Sequence, residues 1–131
     1  MIVGVGLDLV QIDRIRSARE RHGARFLRRV FTDAEIESCL RRADPDPSLA
    51  ARFAAKEAGM KALGTGWAQG VGWRDLEVVA SSNAPPRMAL SGKAAERAAS
   101  LGVGAVRLSL THEAGVAAAV VLFEAEERRS E

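Results

Sequence analysis

Ser48-Leu49-Ala50-Ala51-Arg52-Phe53-Ala54-Ala55-Lys56-Glu57-Ala58-Gly59-Met60-Lys61-Ala62-Leu63-Gly64-Thr65-Gly66 contains one long helix and the turn that ends it. Ala, Leu, Lys and Arg are strong helix formers. Ser48 is a suitable N-cap for a helix over 49–63, and Gly64 suits a left-handed C-cap. Within the helix Phe53, Glu57 and Lys61 recur at i, i+4 and i+8 and share a face, while Arg52, Lys56 and Met60 form the neighbouring stripe.

The same punctuation extends outward on both sides. Residues 2–7 read as a short strand around Gly4 and Gly6. Two helical segments follow over 11–21 and 24–30, broken at His22-Gly23. Thr32 with Glu35 forms a capping box for a helix over 33–42. Asp44-Pro45-Asp46-Pro47 is a loop, because each proline restricts the residue before it. Beyond the long helix, strands are expected over 75–80, 87–90, 105–111 and 116–123, with a short helix over 91–101. Asn83-Ala84-Pro85-Pro86 marks the turn between the first two of these strands. The charged tail 124–131 is expected to fray. The pattern is α+β in one domain spanning 1–131.

Composition agrees. The chain has 131 residues, 47% hydrophobic and 27% charged, a length that builds its own core. Cys39 is the single cysteine, which excludes an intrachain disulfide and suits a reducing compartment or simple burial. No apolar run approaches the ~20 residues of a membrane span, and the N-terminus lacks the features of a signal peptide. A cytoplasmic, non-membrane protein is expected. The net charge is only +2, but Arg14, Arg16, Arg19, Arg21, Arg25, Arg28 and Arg29 crowd one stretch. They either steer an acidic partner or form a solvated helix face. Tyrosine is absent and aromatics are few, which argues against base stacking and a nucleic-acid partner.

Taken singly, the chemistry-bearing residues each have two readings. Asp8 is displayed at the end of the first strand for a metal or substrate, or it caps the following helix. Glu57 and Lys61 suit phosphoryl chemistry, the carboxylate for Mg2+ and the ammonium for phosphate, or they are an ordinary i, i+4 surface pair. Gly64-Thr65-Gly66 lets backbone approach a phosphate closely. His112 contacts an anion or moves a proton, or it is a polar turn residue. No Walker A string, zinc cluster or serine-hydrolase elbow is present.

The order of the motifs goes further. Val3-Gly4-Val5-Gly6-Leu7-Asp8-Leu9-Val10-Gln11-Ile12-Asp13-Arg14-Ile15, then Phe31-Thr32-Asp33-Ala34-Glu35, then Arg52-Phe53-Ala54-Ala55-Lys56-Glu57-Ala58 with Lys61-Ala62-Leu63-Gly64-Thr65-Gly66, then Ser109-Leu110-Thr111-His112 and Ala117–Val121 together resemble the bacterial holo-acyl-carrier-protein synthases. The match runs nearly the whole chain, in order. Cys39 departs from a frequent aromatic, and Ala84-Pro85 from a turn that usually carries glycine. Both departures bear on local packing.

The resemblance implies a phosphopantetheinyl transferase fold, an antiparallel sheet packed with helices, assembled as a trimer with active sites between subunits. It implies transfer of 4'-phosphopantetheine from coenzyme A to a serine of apo acyl carrier protein, releasing adenosine 3',5'-bisphosphate. By that resemblance Asp8 and Glu57 hold Mg2+, and Lys61 stabilises the pyrophosphate. Glu57 accepts the serine proton directly or through water. Arg52, Lys61, Gly64, Thr65, Gly66, Thr111 and His112 bind coenzyme A. Arg14, Arg21, Arg25 and Arg29, with Phe26 as apolar anchor, dock the carrier. The competing expectations are an Mg2+-dependent phosphatase or nucleotide hydrolase, and a non-enzymatic module that binds an acidic protein.

Overall fold

The computed structural model describes residues 1–65 and 70–127. Strand β1 (Ile2–Gln11) is followed by helices α1 (Ile12–His22), α2 (Ala24–Val30), α3 (Asp33–Leu40) and α4 (Asp46–Leu63). A short 3-10 turn, Trp73–Asp75, leads into strands β2 (Leu76–Ser81) and β3 (Ala84–Leu90). Helix α5 (Gly92–Ser100) and the long strands β4 (Val103–Glu113) and β5 (Val116–Ala125) complete the chain. The class is the expected α+β, with antiparallel pairing throughout: one sheet in the order β1-β5-β4 and a separate β2-β3 ribbon.

The expected elements form, with shifted bounds. β1 runs four residues further than expected, so Asp8 lies inside the strand opposite Ala119. It is neither at a strand exit nor a helix cap; α1 is preceded by Gln11, which makes no side-chain cap. α4 begins at Asp46 with proline in its first turn, a position that tolerates a missing N–H. Ser48 is therefore not its cap, and its hydroxyl accepts from Arg52 instead. Pro85 and Pro86 lie within β3, which pairs with β2 alone and so has a free edge for them. The tail does not fray at 124: Glu124 and Ala125 belong to β5, and the Ala125 N–H donates to the Met1 carbonyl at 2.8 Å. The Thr32–Glu35 capping box forms as expected, and Gly64 caps α4 at φ 74°.

α4 is the axis of the molecule and is buried on nearly every side. It lies across β1 and β5. Gly4 and Gly6 make that closeness feasible, since a Cβ at Gly6 would overlap the Ala58 carbonyl and one at Gly4 would press on that of Ala62. On this inner side Ala117, Ala119, Val121 and Phe123 of β5 meet Ala50, Ala54, Ala58 and Leu63 in one core. Because side chains alternate along a strand, Asp8 shares the face of Gly6 and is directed at α4.

One buried polar cluster fastens the remaining pieces to α4. The Lys56 ammonium, with no exposure, donates to Glu35 Oε1 at 2.7 Å and to the carbonyls of Trp73 and Leu76 at 3.1 and 2.6 Å. Glu35 also accepts from the backbone N–H groups of Thr32 and Val78. One carboxylate therefore serves both as the capping-box acid of α3 and as the counter-ion of Lys56.

Candidate active site

β1 and α4 together bring three charged residues to one place. Lys61 Nζ donates to Asp8 Oδ1 at 3.1 Å and to the Leu7 carbonyl at 3.0 Å. Lys61 thus bonds across to the strand rather than closing a surface pair with Glu57. Glu57 is half-buried on the same face of α4, one turn before Lys61. Burial raises its pKa above the ordinary 4.5, and the charge of Asp8 adds to the rise, while Lys61 and Arg14 oppose it. Two carboxylates therefore repel each other beside a partly exposed ammonium.

That donor set suits Mg2+, which takes one or two carboxylates and completes its shell with phosphate oxygens and water. A cation between Asp8 and Glu57 would offset the burial and, after it, the Asp8 charge that lift the Glu57 pKa. Among the described residues no group of three or more His, Cys, Asp and Glu side chains converges.

A second feature lies across the sheet. Asp8 pairs with Ala119, and Ala119 with Leu110. With strands about 4.8 Å apart, Leu110 stands roughly 10 Å from Asp8. Leu110, Thr111 and His112 form one wall of an open cleft of about 430 Å³, and Ser48, Ala51 and Arg52 of α4 form another. The two-residue turn Ala114-Gly115, with φ of 53° and 79°, closes the hairpin that carries Thr111 and His112. Arg52 is 4% exposed. Its Nη1 donates to Ser48 Oγ, and its buried Nε has no hydrogen-bond partner in the protein. A buried guanidinium with a spare donor on a cleft wall is the chemistry of an anion site.

The candidates therefore fall into two neighbouring groups: Asp8, Glu57 and Lys61 in one, and Arg52, Thr111 and His112 in the other. Gly64 and Thr65 follow Lys61 at the end of α4, and Gly66 lies outside the described residues. Arg42, Asp44, Ser81 and Pro86 also line the cleft and were not anticipated. No pattern near Ser81 or Pro86 pointed to a site, because only the folding of the β2-β3 ribbon brings them to α4.

The basic stretch divides. Arg16 and Arg19 are engaged by the buried Asp46. Arg21, Arg25, Arg28 and Arg29 are exposed and have no ion-pair partner among the described residues. Arg14 is exposed and lies over the Phe53 ring at 5.9 Å. Phe26 is half-buried, edge-on to Phe31 at 6.0 Å.

Comparison with known proteins matches residues 4–121 to the 4'-phosphopantetheinyl transferase superfamily. The chain is 48% identical to the holo-[acyl-carrier-protein] synthase of Solibacter usitatus, covering 95% of this chain and 99% of that protein. It is 51% identical to the synthase of Methylobacterium radiotolerans, covering 95% of each. Among solved structures, the Neisseria meningitidis synthase superposes with a TM-score of 0.85 at 31% identity, over 95% of this chain and 99% of that one. The Helicobacter pylori synthase in complex with coenzyme A superposes with a TM-score of 0.80 at 32% identity, over 92% and 99%.

Proposed function

From the premise that this chain belongs to the holo-[acyl-carrier-protein] synthases of the 4'-phosphopantetheinyl transferase superfamily, we propose that it moves 4'-phosphopantetheine from coenzyme A to a serine of apo acyl carrier protein with Mg2+. The observation that carries this reading is the meeting of Asp8, Glu57 and Lys61 on the rung of the sheet that leads to the Arg52 cleft. The coenzyme A held by the Helicobacter relative supports the same substrate here.

The carrier hydroxyl forms a new bond to the β-phosphorus, and the bond from that phosphorus to the bridging oxygen breaks, releasing adenosine 3',5'-bisphosphate. The obstacle is charge, since two adjacent phosphates repel the nucleophile and the leaving group gains a negative charge. Asp8 and Glu57 would hold Mg2+, which when bound supplies neutralisation and orientation of the pyrophosphate. Lys61 supplies a fixed positive charge on the same phosphates. Glu57 accepts the hydroxyl proton at a carboxylate oxygen, directly or through a water. Arg52, with Thr111 and His112, receives the nucleotide phosphates in the cleft, and Gly64 and Thr65 present backbone to the pyrophosphate. The exposed Arg14, Arg21, Arg25 and Arg29, with Phe26 beside them, meet the acidic carrier.

The outer face of the sheet bears on assembly. Val5, Leu7 and Leu9 are 57%, 61% and 66% exposed and pair with Leu122, Val120 and Ala118 of β5. Such a contiguous apolar face calls for a cover. Further copies of the chain, three in all as the resemblance implies, are the proposed cover, with the active site completed between neighbours. Sedimentation should then give three times the 14.0 kDa chain mass. Leu7→Glu with Val120→Glu should give an inactive monomer, whereas a fully active wild-type monomer would contradict the assembly. Among the described residues no helix is long and apolar enough to cross a membrane, and a cytoplasmic site of action is part of the same reading.

The deciding experiment is intact-mass analysis of apo acyl carrier protein after incubation with this protein, coenzyme A and Mg2+, beside an EDTA control. A gain of one phosphopantetheine that EDTA abolishes is expected. Coenzyme A consumed with no carrier modified would replace transfer by hydrolysis, and neither change would leave only binding.

A further inference from the structure

Asp46 is the first residue of α4 and is 1% exposed, yet it carries a carboxylate. Arg19 grips it bidentately, Nε to Oδ1 at 2.6 Å and Nη2 to Oδ2 at 2.9 Å, and Arg16 Nε reaches Oδ2 at 2.9 Å. Arg16 is itself held on its far side by Asp13 and Asp44, both at 3.0 Å. A carboxylate in a first helical turn is also favoured by the helix dipole. The proton equilibrium agrees, since the hydrogen bonds from Arg19, then those from Arg16, hold the Asp46 pKa below its ordinary value against the cost of burial.

Elsewhere α1 is held by the Ile12 N–H donating to the Gly115 carbonyl at 2.9 Å and by the exposed Arg14 over the Phe53 ring of α4. Only Ile12 and Ile15 of that helix are buried, and two apolar contacts do not set the rotation of a helix about its own axis. Beyond α1 the chain turns at Gly23, whose φ of 52° suits glycine and which has nothing within reach of a Cβ. Ile12, Ile15, Arg16 and Arg19, at i, i+3, i+4 and i+7, form the anchored face. Arg14 and Arg21, seven residues apart, form another stripe of the same cylinder and are exposed. Turning the anchored face therefore turns that stripe by the same angle.

We propose that Asp46 is a positioning residue that fixes the rotation of α1 on α4 and so sets where Arg14 and Arg21 are presented to an acidic carrier. The inference rests on the carrier-transfer reading above. Asp46 touches neither substrate nor reacting atoms; it acts through Arg16 and Arg19.

The test separates the two substrates. With Asp46→Asn, the KM for apo carrier should rise roughly tenfold, while the KM for coenzyme A and kcat at saturating carrier stay at wild-type values. Asp46→Glu, which keeps the charge, should recover most of the loss. Arg14→Glu should cost the Asp46→Asn background less than it costs wild type, because a displaced arginine has less to lose. A fall in kcat or a parallel rise in both KM values would make the cluster merely structural and overturn the proposal, as would unchanged kinetics. If Asp46→Asn does not fold, Arg19→Met, which leaves the bonds of Arg16 to Asp44 and Asp46 in place, must raise the carrier KM alone or the proposal fails. A wild-type protein that modifies no carrier would instead overturn the transfer reading and this inference with it, whereas normal wild-type transfer with an unaffected Asp46→Asn would overturn the inference alone.

Discussion

Glu57→Gln is expected to lower phosphopantetheine transfer by about a hundredfold to ten-thousandfold, the range for losing a proton acceptor, and to raise the melting temperature of the metal-free protein. The two effects have one cause. Glu57 stands on α4 beside Asp8, and burial followed by the Asp8 charge keeps its pKa above 4.5. A carboxyl whose folded pKa is raised costs nothing below the unfolded value. It costs stability as pH rises from there through the folded value, because the fold disfavours the ion that the unfolded chain accepts. Glutamine keeps the shape and discards the charge. The gain in Tm, measured in EDTA, should therefore be present near about pH 7 and vanish near about pH 4, where Glu57 is already protonated. Added Mg2+ should narrow the difference by stabilising the wild type and not the variant. Near-normal turnover in Glu57→Gln would exclude both the metal and the base role. An unchanged Tm at neutral pH would mean that the carboxylate repulsion does not reach the folding equilibrium.

Lys56→Met is expected to be the most destabilising single substitution in the motif, at about 3–5 kcal/mol. Methionine fills the volume but withdraws the cation from Glu35 and the donors from the Trp73 and Leu76 carbonyls, none of which water can reach to replace. Chemical or thermal unfolding should show the loss, a Tm lower by about 10–20 °C for a chain of this size. Restoring charge balance with Glu35→Gln in the same chain should return part of it, since the amide strands no buried anion and keeps one of the two accepting oxygens, while its NH2 is left facing a backbone N–H. A loss under about 1 kcal/mol would show that the pair only offsets its own desolvation. Lys56 and Glu57 are neighbours in sequence, yet one side chain is committed to the fold and the other to the proposed chemistry.

That pair shows how far the sequence could be read. The spacing Arg52, Lys56, Met60 beside Phe53, Glu57, Lys61 placed both stripes on one helix, and the helix forms. Which stripe faced the core was not readable, because α4 is buried almost all round and so carries no amphipathic signal. Asp8 was visible as a candidate, but its setting was misjudged. The first strand continues to Gln11, and what aims Asp8 at Lys61 is the pair Gly4 and Gly6, which lets strand and helix backbones approach. Arg16 and Arg19 looked like members of one basic block until Asp46, about thirty residues away, claimed both.

What the sequence determined by itself was local. Helix and strand periodicity, the Thr32–Glu35 capping box, the left-handed Gly64 and the order of the motifs depend on neighbours along the chain. Those interactions form wherever the chain goes. Only the tertiary structure decided which charges meet: Lys61 with Asp8, Lys56 with Glu35, the arginine pair with Asp46, and the β2-β3 ribbon against the Arg52 cleft. Each joins residues tens of positions apart. Burial sets their strength, because desolvation makes an ion pair either a fixture of the core or a perturbed acid, and burial is a property of the packed molecule that no stretch of sequence carries.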